Sequence, residues 1–412
     1  MLEKSLLAVL RAFRRRFFRS TLALGMAAAA PLIAGAPFAK SQTPSPPKRS
    51  EIQRVLPITK FYDTPNPPPA GKPGELIRSE EFDQYYLPFS VSAVRILYHS
   101  RSATGEDVVS SGVVLTPSEG NPPAGGWPVI VFAHGASGVA RPCAPSLMRN
   151  VGHGPILSMY VSLGYAVVAT DYTGLGTNFR NAFLDGLSNA TDVINSVPAA
   201  RAALPQLSKR WIVVGEAEGG LTAVAVAEQE NEIRDPGYLG AMVISNIASA
   251  REIYEPLPSA SGLMLTALAY GIKTVYPQFQ VSDMLTEKGL ALYRNLEQMC
   301  SQESTMPELS AMQTVKPGWD KNAFVVQYFE RSVVGRTRAY GPIMVIGSDA
   351  DQAKVASRTS PVIAALCKQG DRVQWQRYSD LAPGNLIGDS VPGQISWMEA
   401  RFAGRPVTSE CR

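Results

Sequence analysis

The chain has 412 residues, 45% of them hydrophobic and 18% charged, with 34 Gly and 32 Pro. Such proportions suit one large globular domain or two modest ones, and they exclude a coiled coil, a disordered tail protein and a multi-span membrane protein. The formal charge of +4 is concentrated at the start: Lys4, Arg11, Arg14, Arg15, Arg16 and Arg19 face Glu3 alone within residues 1–39, a net +5 that leaves the remainder at −1. A near-neutral body has no electrostatic footprint for nucleic acid or anionic lipid, so neither partner is expected.

The basic head runs into an Ala-rich apolar stretch at 21–39, broken by Gly25, Pro31 and Gly35. This is the layout of an export signal, and the run is too short and too weakly apolar for the ~20 strongly apolar residues of a membrane span. The run Arg14-Arg15-Arg16-Phe17-Phe18-Arg19 fits the twin-arginine pattern, with a general secretory signal as the other reading. Cleavage is expected after Ala39, and the mature protein outside the cytoplasm, in the periplasm or beyond. Residues 40–74, with Pro44, Pro46, Pro47, Pro65, Pro67, Pro68 and Pro69, read as a linker ahead of a domain at 75–412. Cys143, Cys300, Cys367 and Cys411 are an even count in an exported chain, which predicts two disulfides and leaves three pairings open. No CxxC occurs and no His stands at ligand spacing from a Cys, so no metal site is expected, and no other cofactor is called for.

Residues 91–98 and 108–115 predict a hairpin turning through Thr104-Gly105-Glu106-Asp107. Continuous apolar runs follow at 127–133, 165–171, 210–214, 241–245, 342–346 and 373–378, the pattern of strands buried on both faces of a parallel sheet. Helical segments alternate with them at 156–163, 190–204, 220–229, 360–368 and 394–402. Strand alternating with helix predicts a doubly wound α/β sheet. One insertion, 251–337, is too long for a loop and is expected to cap a binding cleft at the carboxyl ends of the strands. Within it, 262–272 reads as a buried helix, and Leu285, Leu292, Leu296 and Met299 as one face of a second.

The chemically loaded point is Gly215-Glu216-Ala217-Glu218-Gly219-Gly220, between a predicted strand and a predicted helix. Strand, tight Gly-rich turn and helix are the parts of a nucleophile elbow, G-x-S-x-G, but the apical residue here is Ala217, which has no nucleophilic atom.

From about residue 91 onward the chain resembles the secretory lipase family, through Pro128 to Gly135, Cys143-Ala-Pro-Ser146, Gly164 to Gly176, the 215–220 turn, and Arg401 to Pro406 with Cys411. The resemblance implies an α/β-hydrolase fold with a helical cap, and acyl-ester hydrolysis. The family elbow is G-H-S-Q-G-G, so Ala217 stands at the nucleophile position; Asp351, beside Asp349, takes the acid position, and Pro383 the place of the basic His. His99, His134 and His153 all precede the elbow, against the order nucleophile, acid, base. His134, Gly135 and Ala136 match the oxyanion loop, and Glu218 the residue that would add an oxyanion N–H. His134 is expected to fix that loop's turn, His153 to be a loop residue, and His99 to be exposed. The family pattern also implies the pairs Cys143–Cys300 and Cys367–Cys411. The expected function is a secreted homologue that has lost serine-hydrolase chemistry and binds a small apolar ester, an acyl ligand or a protein partner. The alternative is an active esterase using Ser137 or Ser245 as nucleophile, or Glu216, Glu218 and Asp351 as acid and base.

Overall fold

The computed structural model describes residues 55–411 apart from 66, 245–250, 252–253, 255–260, 299, 301–308, 349–355, 380 and 382–384. The described residues belong to one compact unit. Its nine strands are β1 (Leu76–Glu81), β2 (Val91–Arg101), β3 (Asp107–Pro117), β4 (Trp127–Ala133), β5 (Ala166–Thr170), β6 (Leu207–Glu216), β7 (Tyr238–Ile244), β8 (Ile343–Ser348) and β9 (Val373–Tyr378), in the spatial order β1-β2-β3-β5-β4-β6-β7-β8-β9. The pairs from β1 to β2, β2 to β3 and β3 to β5 are antiparallel, and every later pair is parallel. The predicted doubly wound α/β sheet is therefore present. β1 is an addition: Leu-Ile-Arg-Ser-Glu-Glu is short and half charged, and only its place beside β2 at the sheet edge makes it a strand.

The continuous apolar runs are two-sided because alternate residues feed two cores. Val129, Val131 and Ala133 of β4 pack with Val168 and Val213 beneath α2 (Gly186–Ala203) and α3 (Glu218–Ile233). Ile130 and Phe132 join Val167 and Val214 on the opposite face, under α1 (Gly154–Ser162) and α8 (Val391–Phe402). A third core lies in the insertion, where α4 (Gly262–Val275), α5 (Glu287–Asn295) and α6 (Ala323–Arg331) gather Leu268, Ile272, Phe279, Tyr328 and Phe329 against Phe183 and Leu184 of the β5–α2 loop. α7 (Ala356–Lys368) joins β8 to β9.

The predicted 285–299 helix begins later than expected. The Thr286 hydroxyl accepts the Gly289 N–H at 3.1 Å, so the helix starts at Glu287 and Leu285 precedes it; Leu292 and Leu296 are buried, and Met299 lies outside the described residues. Within the stretch read as linker, Leu56, Phe61 and Tyr62 are buried, and Val55 bridges to Met148. Tyr62 Oη lies 2.8 Å from Ser146 Oγ, tying this stretch to the body.

Candidate functional site

β6 ends at Glu216 and α3 starts at Glu218, leaving Ala217 alone to make the turn. It does so at φ 51°, ψ −116°, a conformation that costs a residue with a Cβ about 1–3 kcal/mol. The Gly220 N–H holds the Ala217 carbonyl at 2.9 Å, and the Ala217 N–H reaches Ile244 O at 3.4 Å. The neighbouring glycines are required by close approach rather than by φ. A Cβ on Gly215 would lie 1.9 Å from Gly219 O, one on Gly219 1.9 Å from Ala133 O, and one on Gly220 2.8 Å from Val243 Cγ1. Helix and strand therefore meet backbone to backbone, and the turn projects Ala217 into solvent.

Beside it, β4 and β6 run parallel with Ala133 opposite Gly215, which brings His134, Gly135 and Ala136 alongside the turn. A Cβ on Gly135 would sit 3.1 Å from Ala217 Cβ and 2.7 Å from Glu216 Oε2. His134 faces inward. Its Nδ1 lies 2.6 Å from Gly135 O and its Nε2 3.2 Å from Asp171 O, while the ring stacks on Tyr172 at 4.2 Å. Burial pushes its pKa down to about 4, against the two carbonyl contacts that oppose the shift, so the ring is neutral at ordinary pH. The Tyr172 hydroxyl donates to His134 O at 3.0 Å, fixing the backbone as well. Ser137 Oγ is buried without a hydrogen-bond partner.

Glu216 and Glu218 flank Ala217 and diverge. Glu218 is buried: its Oε1 accepts from Leu184 N at 2.8 Å and from Asn189 Nδ2 at 3.1 Å. Burial drives its pKa from 4.5 up to about 7 despite those bonds. Glu216 is half-buried, with Oε2 3.6 Å from His153 Nε2. His153, expected as a loop residue, is the residue that precedes α1. His99 is not exposed as expected: it is 5% accessible, with Nδ1 3.1 Å from Asp107 Oδ1, because the hairpin and Gly71 close over it. Asp349, Asp351, Pro383 and Ser245 lie outside the described residues.

The structure links the insertion to this corner covalently. Cys143 and Cys300 form a disulfide with Cα atoms 5.2 Å apart, next to an isolated bridge between Gly138 and Cys300. Cys367 of α7 pairs with Cys411, Cα to Cα 5.1 Å. Both pairings match the family pattern.

Several polar residues escaped the sequence reading. Asp171 accepts from Ser146 N at 2.7 Å and from Ser111 Oγ at 2.6 Å, fastening the end of β5 to the Cys143–Ser146 loop. Arg95, 1% accessible, lies over Phe82 at 3.2 Å and donates to Tyr85 Oη at 2.9 Å. A charged residue amid the apolar run of β2 was the available signal. A cavity of about 500 Å³ opens between the β2–β3 hairpin, the 173–182 loop and α2, with Thr274 of α4 at its wall. Arg101, Asp107, Thr173 and Asp192 line it, and so does Asn189, whose amide holds Glu218. Among the described residues no cluster of three His, Cys, Asp or Glu is placed to hold a metal, and no helix is long and apolar enough to cross a membrane.

A sheet of this order with a sharp strand-to-helix turn agrees with the family comparison, in which the secretory lipase model matches residues 155–410. The chain belongs to the secretory lipase family. Among solved structures it is similar to lipase A of Candida antarctica in its closed state, with a TM-score of 0.74 and 16% identity over 87% of this chain and 89% of that one. It is also similar to the rice cell wall degrading esterase LipA from Xanthomonas oryzae, with a TM-score of 0.66 and 17% identity over 81% and 98%. At such identities the likeness establishes the α/β-hydrolase fold. No curated protein matches the chain by sequence.

Proposed function

We propose that this secretory lipase homologue is exported by its N-terminal segment, has lost serine-hydrolase chemistry, and binds a small apolar ester or acyl ligand. The observation that carries the proposal is the methyl group of Ala217 at the exposed apex of the strained turn. An oxygen or sulfur nucleophile is needed there, and a methyl cannot supply one. The histidines of the chain support the same conclusion: His99 is engaged with Asp107 inside the hairpin, His134 is buried and neutral, and His153 faces Glu216. Ser137, a substitute nucleophile, has a buried hydroxyl with no base beside it among the described residues. What favours retained binding is the scaffold around the turn: the close glycine contacts at 215, 219 and 220, the half-buried Gly135 and Ala136, and an insertion with its own apolar core.

The test is hydrolysis of p-nitrophenyl esters from butyrate upward, run together with a fluorophosphonate probe that labels activated serines. The expected result is no labelling and no hydrolysis above an unrelated protein. Turnover above about 1 s⁻¹, the low end of ordinary enzymes, overturns the proposal.

A further inference from the structure

The exposed apex at Ala217 has a charged neighbour to which the loss of hydrolysis gives no task. Glu216 ends β6 with a quarter of its side chain accessible, and its Oε2 would come within 2.7 Å of a Cβ on Gly135, so the carboxylate rests over the glycine of the 134–136 loop. Ala217 Cβ borders the same spot at 3.1 Å. In a serine hydrolase the matching position receives developing negative charge, and backbone N–H groups stabilise it. The Glu216 carboxylate sets a negative charge at that spot, against the positive N-terminal end of α3.

Among the described residues the only ion-pair partner of Glu216 is His153, at 3.6 Å, too long for a hydrogen bond. His153 Nδ1 is buried and has no partner. Among the described residues the other titratable groups beside the turn set no positive charge against Glu216: His134 is neutral, and the Glu218 carboxylate is turned to Leu184 and Asn189.

We infer that the spot over Gly135, bordered by Glu216 and Ala217, recognises a cationic group, so that the preferred ligands are acyl esters of amino alcohols bearing an ammonium. This assignment rests on the ester-binding function proposed above. A free fatty acid is disfavoured by the same carboxylate, and an uncharged ester lies between the two.

The experiment is titration calorimetry of the full chain with three twelve-carbon probes below their micellar concentrations: lauroylcholine, its uncharged isostere with carbon in place of nitrogen, and laurate. The wild type is expected to bind lauroylcholine about tenfold more tightly than the isostere, with laurate weakest. Glu216→Gln is expected to bring the choline and carbon esters together, while His153→Asn, which leaves the carboxylate, keeps them apart. Should Glu216→Gln fail to fold, roughly 0.5 M salt on the wild type makes the same test, because a Debye length of about 4 Å screens a half-exposed charge. Equal binding of the choline ester and its isostere to the wild type overturns the cation assignment alone, as does a preference that survives Glu216→Gln or, in the salt test, screening. Absence of binding by all three probes removes the ester-binding function and this assignment with it.

Discussion

Replacing Glu218 by Gln isolates the cost of keeping a carboxyl group buried at the start of α3. Glu218 carries a pKa of about 7 in the fold against an ordinary 4.5, with burial as the main cause. An acid whose folded pKa is raised binds its proton more tightly in the native state, so its contribution is intact below about pH 4.5 and is lost as pH rises through 7. At about 1.36 kcal/mol per pKa unit, the wild type loses about 1 kcal/mol by pH 5 and about 3 kcal/mol by pH 8 relative to a neutral side chain. Gln keeps an oxygen for Leu184 N and Asn189 Nδ2 and does not ionise. The variant is therefore expected to gain little at pH 5 and about 3 kcal/mol at pH 8. At roughly 2 °C per kcal/mol for a domain of this size, thermal unfolding should separate the two proteins by about 2 °C and about 6 °C respectively. Asp192, raised to about 6, and Glu230, raised to about 7, slope the wild-type profile in the same direction, but they are common to both proteins and cancel in the difference. A difference that stays flat between pH 5 and pH 8, or a variant that loses stability at both, would refute the buried-carboxyl account.

Gly219→Ala should destabilise by about 3 kcal/mol or more, since the new Cβ meets Ala133 O at 1.9 Å and backbone must move; Gly388→Ala, with open space around it, should stay within about 0.5 kcal/mol, and chemical denaturation distinguishes the two. Removing the Cys143–Cys300 bridge as the double serine variant should lower stability by about 2–4 kcal/mol and speed protease cleavage within the insertion that the bridge tethers. Ala217→Ser should restore almost no esterase activity: His99 is paired with Asp107, His134 lies against the Gly135 and Asp171 carbonyls and His153 faces Glu216, so the new hydroxyl keeps its proton and stays a weak nucleophile.

Much of the fold is legible in the sequence because its strands are buried on both faces. Trp127–Ala133 and Ala166–Thr170 read as apolar without alternation, and in the sheet their residues feed two cores. What escaped had no local signature. β1 exists only because β2 offers it an edge, and α5 starts where Thr286 caps it, two residues after the Leu285 that fitted its apolar spacing. His99 sits in a polar context yet is covered by Gly71, a residue 28 positions away in the chain.

At the candidate site the sequence by itself determined chemical identity. The turn has a methyl at its apex and a carboxylate on each side, whatever the fold does with them. Only the tertiary structure decided which carboxylate is available. Glu216 and Glu218 are two residues apart, equally charged and equally flanked by small residues, so composition and spacing cannot tell them apart. The positive φ at Ala217 turns the chain so sharply that the two side chains leave in different directions. One enters the interior, where Leu184 and Asn189 wait 34 and 29 positions earlier in the chain; the other rests over Gly135, which parallel pairing of β4 with β6 delivers to the same corner. Those partners are distant in sequence, and the directions are set by backbone geometry and long-range pairing, neither of which a linear pattern encodes.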